Sequence, residues 1–206
     1  AARLTLLAEA LAPWPVQAAA GLRDPASWYA SVYGYALSRR PQPPWAQVRE
    51  AALAAERGAA ALAADVAQAF PGPAFWTTAA YRADPSSVHK RLAGPGPGGR
   101  LQAARKRVNA SLSGPAMGAL MEMRARGEPV DREALRDLRR AAPIRREGPW
   151  RPWSEDDLRR LDRRWRDEIK AIRAQGLRIA TAPGEMRPRG QPAKPSTEAA
   201  AQGGRT

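Results

Sequence analysis

Between Asp84 and Glu122 the chain carries Lys90, Arg91, Arg100, Arg105, Lys106 and Arg107 and not one carboxylate. A cation with an acid one helical turn away spends its field on that partner, whereas an unpaired cation keeps its full attraction for an external anion. Arg100 and Arg107 stand seven residues apart and share a side of a helix pattern that turns Leu101 and Val108 inward. Arg105, Lys106, Asn109 and Ser111 add donors beside them. The chemistry open to such a set is phosphate neutralisation. Lys90, Arg91, Arg100, Arg105, Lys106 and Arg107 are therefore the expected nucleic-acid-binding residues, contacting the backbone of DNA or RNA rather than reading bases. A merely solvated helix face and an acidic protein partner are the competing readings.

A denser set of cations follows later in the chain. From Trp150 to Gly176, Arg159, Arg160, Arg163, Arg164, Arg166, Lys170 and Arg173 crowd one helix pattern, but acids stand four residues from most of them. Glu155 with Arg159, Asp156 with Arg160, Asp162 with Arg166, Arg163 with Asp167 and Arg164 with Glu168 are all spaced i,i+4, each worth roughly 0.2 to 0.5 kcal/mol. Such pairs reinforce the helix and quench its outward field, so the stretch reads as structural. Ser154 ahead of Glu155, Asp156 and Asp157 marks its start with a capping box and three carboxylates on the positive dipole end. Gly176 marks its end, and Leu158, Leu161, Trp165, Ile169 and Ile172 draw its apolar stripe. The lead-in Trp150-Arg151-Pro152-Trp153 reads as a hydrophobic staple folding onto the first turn.

No catalytic constellation is present. His89 is the single histidine, and its neighbours Lys90 and Arg91 disfavour its protonated form and repel a metal cation. With no cysteine, thiol chemistry and a disulfide framework are excluded. Walker A, His-Glu-x-x-His and Gly-x-Ser-x-Gly signatures are missing, and no Gly-x-Gly-x-x-Gly lies in a strand-turn-helix context. The glycines of Gly94-Pro95-Gly96-Pro97-Gly98-Gly99 alternate with prolines that lack the N–H a phosphate cradle needs, so they read as a connector. The expectation is a non-enzymatic protein with no cofactor and no metal.

The formal net charge of +14 points to an anionic partner, nucleic acid before an acidic protein. Only four of the 34 basic residues are lysines, and an Arg-, Ala-, Pro- and Gly-rich composition points to a GC-rich genome, which discounts the total. The excess sits in residues 82–148, with 15 basic and seven acidic residues. Leu, Ile, Val and Phe number 30, fewer than one residue in six, below the ~20% at which a charged chain begins to bury a core readily. The core is expected to be thin and alanine-rich, with helices completed among themselves or by a partner. No run of 18 apolar residues is present, so no membrane partner and a cytoplasmic location are expected. The chain opens at Ala1, which reads as a processed or partial chain.

The elements are expected to be helices throughout. Residues 3–12 form a short helix stopped by Pro13-Trp14-Pro15. Asp24-Pro25 caps a second, with Trp28, Val32 and Tyr35 or Ala36 as its core stripe. Trp45 to Phe70 forms a long alanine-rich helix that Gly58 bends or splits. Residues 75–83 suit a strand or a short helix equally. Asp84-Pro85 opens another turn. Beyond the connector come helices over 100–112, from Met117 to Gly127, and from Asp131 to Pro143, then the long helix from Ser154. This divides the chain into an alanine- and aromatic-rich helical region over 1–83, a short helix and connector over 84–99, a basic helical region over 100–180 and a disordered tail over 181–206. The fold class expected is all-α. The function expected is non-enzymatic nucleic-acid binding in a regulator, replication or packaging component. The alternative is a helical scaffold or adaptor subunit, with a protein partner or homo-oligomer.

Overall fold

The computed structural model describes residues 2–14, 16–85 and 112–182. Among these, helices dominate, but the chain is not purely all-α: three short strands form a parallel sheet in the order β1-β2-β3. Strand β1 is Ala19–Leu22, β2 is Ala74–Thr77 and β3 is Ile179–Ala180. Ala20 faces Phe75 and Gly21 faces Trp76 in one register, and Phe75 faces Ile179 in the other. The all-α expectation fails because these strands are too short to show an alternating pattern. Parallel pairing also draws partners from far along the chain, through crossovers that no local signal marks.

Helix α1 is Ala2–Leu11, α2 is Pro25–Arg39, α3 is Trp45–Ala54, α4 is Ala59–Ala69 and α5 is Thr78–Ala83. After residue 111 come α6, Gly114–Ala125, α7, Arg132–Ala141, the single turn α8, Ile144–Glu147, and α9, Glu155–Ala174. Their starts follow capping chemistry. Asp24 accepts from Ser27 N at 2.8 Å, Asp131 from Ala134 N at 2.8 Å and Ser113 from Ala116 N at 3.3 Å. Ser154 and Asp157 form the expected capping box of α9, and Gly176 follows it at φ 73°, the left-handed position that favours glycine. The ambiguous stretch 75–83 proves to be both structures, a strand to Thr77 and then a helix that Thr77 caps by accepting from Ala80 N at 3.1 Å.

The long alanine-rich helix splits at Gly58, and α9 supplies the reason. The Glu168 carboxylate reaches across to accept from Ala60 N at 2.5 Å, doing for α4 what a capping side chain would do. A Cβ on Gly58 would overlap Glu168 Oε1, so only glycine leaves room for that carboxylate. Arg164, ion-paired to Glu168 at 3.6 Å, donates to Ala52 O at 3.5 Å and Arg57 O at 3.3 Å near the end of α3. One i,i+4 pair thus sets its cation on the negative end of α3 and its anion on the positive end of α4.

Burial concentrates in three main apolar clusters that join residues from both sides of the 86–111 segment. Around the sheet, Leu22, Phe75 and Ile179 pack with Ala63, Val66 and Phe70 and with Ile172 of α9, while Leu4, Ala8 and Leu11 of α1 close one side. A second cluster joins Tyr33 and Leu37 of α2 to Met117 and Leu120 of α6, with Leu135 and Leu138 of α7 against it. In the third, Trp153 and Leu161 pack on Ala52. Trp45 links the last two through an aromatic group. Its ring meets Tyr33 at 5.2 Å, Trp150 at 5.0 Å and Trp153 at 4.9 Å, all edge-on. Three of the four rings also bond through their polar atom: Trp45 Nε1 donates to Pro152 O at 3.2 Å, Trp153 Nε1 to Ala26 O at 2.9 Å and Tyr33 Oη to Pro43 O at 3.1 Å.

Two expectations are corrected by this packing. Trp150 and Trp153 are not a staple on the first turn of α9. Leu158, the residue such a staple would use, is 43% exposed, and both indoles instead face α2 and α3. The Trp28, Val32 and Tyr35 stripe of α2 is likewise not core: these residues are 46%, 43% and 58% exposed, and Tyr33 and Leu37 fill the interior. Two apolar stripes share this helix, and its sequence alone does not rank them. Among the described residues no helix is long and apolar enough to cross a membrane.

Candidate nucleic-acid interface

Lys90, Arg91, Arg100, Arg105, Lys106 and Arg107 lie outside the described residues, as do His89, the 94–99 connector, the helix expected over 100–111 and nearly all of the 181–206 tail. The cations whose surroundings are described divide by what each one touches.

Three arginines tie elements of the fold together. Arg49 of α3 holds Asp157 with two hydrogen bonds of 2.7 Å, and Asp157 is 1% exposed. That carboxylate also accepts from Ser154 N at 3.1 Å, so one side chain closes the capping box and anchors α9 to α3. The Arg49 hydrogen bonds, opposed by burial and reinforced by Ser154, hold its pKa at about 2, below the ordinary 3.8. Arg124 of α6 donates to Leu37 O at 3.0 Å and Ser38 O at 3.2 Å, capping the carboxyl end of α2. With Arg164, these side chains give their guanidinium donors to the fold.

On α9 three of the six remaining cations are neutralised locally. Arg159 pairs with Glu155 at 3.5 Å and with Asp156, Arg166 with Asp162 at 2.9 Å, and Lys170 with Asp167 at 3.5 Å. Three of the five expected i,i+4 pairs form. Asp156 and Asp167 instead take the cations three residues away, leaving Arg160 and Arg163 beside a groove of about 650 Å3 at the α3–α4 break.

The opposite holds on α7. Arg132, Arg136 and Arg139 follow the i, i+4, i+7 step, so they share one face, and all three are exposed. Among the described residues none has a carboxylate within 4.0 Å, since Asp131 is turned to its cap and Asp137 pairs with Arg140 at 3.6 Å. Leu135 and Leu138 hold the other side of the helix against the second apolar cluster, which fixes the arginine face outward. Arg145 adds a further cation on α8, where Arg146 is paired with Glu147 at 3.4 Å. The chain returns from the 86–111 segment beside this surface: Ser113 Oγ donates to Ala142 O at 2.7 Å and Trp150 N to Leu112 O at 3.3 Å.

Among the described residues no group of three or more His, Cys, Asp or Glu side chains is placed to hold a metal ion. What the α7 face offers is a row of guanidinium groups for bidentate contact with phosphate oxygens. In the sequence the face is written as Arg132-x3-Arg136-x2-Arg139. Glu133 and Asp137, close by in the chain, disguise it as another ion-paired surface, yet neither reaches these three arginines. No protein-family model matches the chain, and neither the curated proteins nor the solved structures give a match.

Proposed function

We propose that the protein is a non-enzymatic nucleic-acid-binding module that grips the phosphate backbone through the α7 arginine face. The observation that carries this is the contrast in partners: Arg132, Arg136 and Arg139 keep unspent donors, while Arg49, Arg124 and Arg164 have theirs committed inside the fold. The run from Lys90 to Arg107 adds six cations and no acid to the segment that re-enters at Leu112. Backbone contact of this kind positions a protein without reading bases.

The test is a titration against duplex and single-stranded DNA over a salt series. If about four to six cations meet duplex phosphates, log affinity against log salt falls with a slope of roughly −4 to −5. An affinity that does not change with salt, or no binding to any nucleic acid, removes the proposal. The scaffold or adaptor reading draws on the exposed Trp28, Val32 and Tyr35 stripe, over whose last ring Arg39 lies at 5.2 Å. It is separated by the same experiment, because association through an apolar stripe holds or strengthens as salt rises.

A further inference from the structure

The carboxyl ends of the three parallel strands meet the second half of α9 at a cleft of about 380 Å3. Asp24 follows β1, Thr77 ends β2 and Thr181 follows β3, and all three line it. Carboxyl edges of parallel sheets are where ligands bind in open α/β folds, usually where the strand order reverses. The order β1-β2-β3 has no such reversal, so here α9 makes the second wall.

That wall is cationic. Arg166, Lys170 and Arg173 follow the i, i+4, i+7 step and line the cleft together. Arg166 and Lys170 carry their own acids, but Arg173 has no carboxylate within 4.0 Å among the described residues. It is aimed by donating to Thr181 Oγ1 at 2.9 Å. Arg23, directly after β1, has its pKa lowered by burial and then by the charge of Arg82 in α5, so two further cations crowd the same edge. The one acid in the lining, Asp24, is engaged by Ser27, whose N donates to it at 2.8 Å and whose hydroxyl donates as well. Trp165 and Ile169 supply an apolar side. A phosphate-sized anion beside a flat ring satisfies each part of this lining, and the volume lies at the small end of ligand sites, which begin at roughly 300 Å3.

We propose that this cleft binds a nucleoside phosphate monoester, its phosphate on Arg173 and on Lys170, which exchanges its exposed pair with Asp167 for the ligand, and its base against Trp165. The ligand comes either as a free mononucleotide or as the 5′-phosphorylated end of a strand. The proposal is independent of the α7 face and survives if that face binds nothing.

Isothermal titration at low salt with adenosine 5′-monophosphate, adenosine, and trinucleotides with and without a 5′-phosphate tests it. Saturable one-site binding of the monophosphate is expected, with none for adenosine. Lys170→Ala/Arg173→Ala should weaken it at least tenfold, while Arg136→Ala/Arg139→Ala leaves it unchanged. Lys170→Ala alone, at a side chain 79% exposed, keeps the fold intact and should still weaken binding severalfold. In the Arg136→Ala/Arg139→Ala background, tighter binding of the 5′-phosphorylated trinucleotide than of both its unphosphorylated form and the monophosphate identifies a strand end as the ligand, and tighter binding of the monophosphate identifies a free mononucleotide. No saturable heat with either phosphorylated probe overturns the proposal, as does wild-type affinity in the Lys170 and Arg173 variants.

Discussion

Helices α7 and α9 are both dense in arginine, and by composition they look alike, yet they use the residue for opposite ends. On α9 Arg159, Arg166 and Lys170 meet carboxylates within the helix and Arg164 meets Glu168 and the carbonyls of Ala52 and Arg57, while Arg160 and Arg163 keep no acid partner among the described residues. On α7 Arg132, Arg136 and Arg139 meet no acid among the described residues and face solvent. A count of basic residues therefore does not locate a binding face in an arginine-rich chain. Where each guanidinium donates separates the cations that hold the fold from those open to an external anion, because a donor already bonded must break that bond before it can take a phosphate oxygen.

This contrast can be broken most forcefully at Asp157. Asp157→Ala removes a cap and the carboxylate that Arg49 grips, and should cost about 2 to 4 kcal/mol, a fall in Tm of roughly 5 to 15 °C. Nucleic-acid affinity of the folded fraction should stay the same. The pH dependence has a definite sign. The Asp157 pKa is depressed in the folded state to about 2 from 3.8, so its contribution is complete above about pH 4 and is lost as pH falls toward 2. Acid unfolding of Asp157→Asn should accordingly be less steep than wild type between pH 4 and 2, and an identical profile would deny the carboxylate its role.

A smaller effect is expected at Gly58. Gly58 is the N-cap of α4, where alanine is already the poorer residue, and a new Cβ would displace the Glu168 carboxylate that accepts from Ala60 N, so a loss of about 1 to 3 kcal/mol is expected in thermal or urea unfolding. Combined with Glu168→Ala, which clears the space, the two losses should be markedly less than additive. Additive losses would mean that α9 does not organise the α3–α4 break. The smallest stability effect belongs to α7: Arg136→Ala/Arg139→Ala should change unfolding by about 0.5 kcal/mol or less, as exposed unpaired residues do.

The helical part of this fold is legible wherever capping chemistry is local. Asp24-Pro25, Asp131 and Ser154 to Asp157 each announce a helix within four residues, and each does start one. The sheet is not legible, because β1 reads Ala-Ala-Gly-Leu, residues poor in strand propensity. Its strand character comes from Phe75 and Trp76 of β2, more than fifty residues away. On α2, Trp28 and Tyr35 outweigh Tyr33 and Leu37 in the sequence because aromatic size, not burial, is what a sequence displays. Arg49 with Asp157 and Gly58 with Glu168 are hidden for the same reason as the sheet: each partner lies more than a hundred residues away. The α7 face is half visible, since its spacing can be read while the diversion of Asp131 to a cap and of Asp137 to Arg140 cannot.

Two charge-matched double variants measured in one salt series test the central claim most directly. Arg136→Ala/Arg139→Ala removes two cations without acid partners, and Arg126→Ala/Arg159→Ala removes two that are paired to acids. The first should flatten the slope of log affinity against log salt by about 2, close to 0.9 for each phosphate no longer neutralised, and the second by less than about half a unit. Equal slopes for the two variants, or loss of binding in the second with the first intact, would contradict the claim that unpartnered arginines mark the binding face.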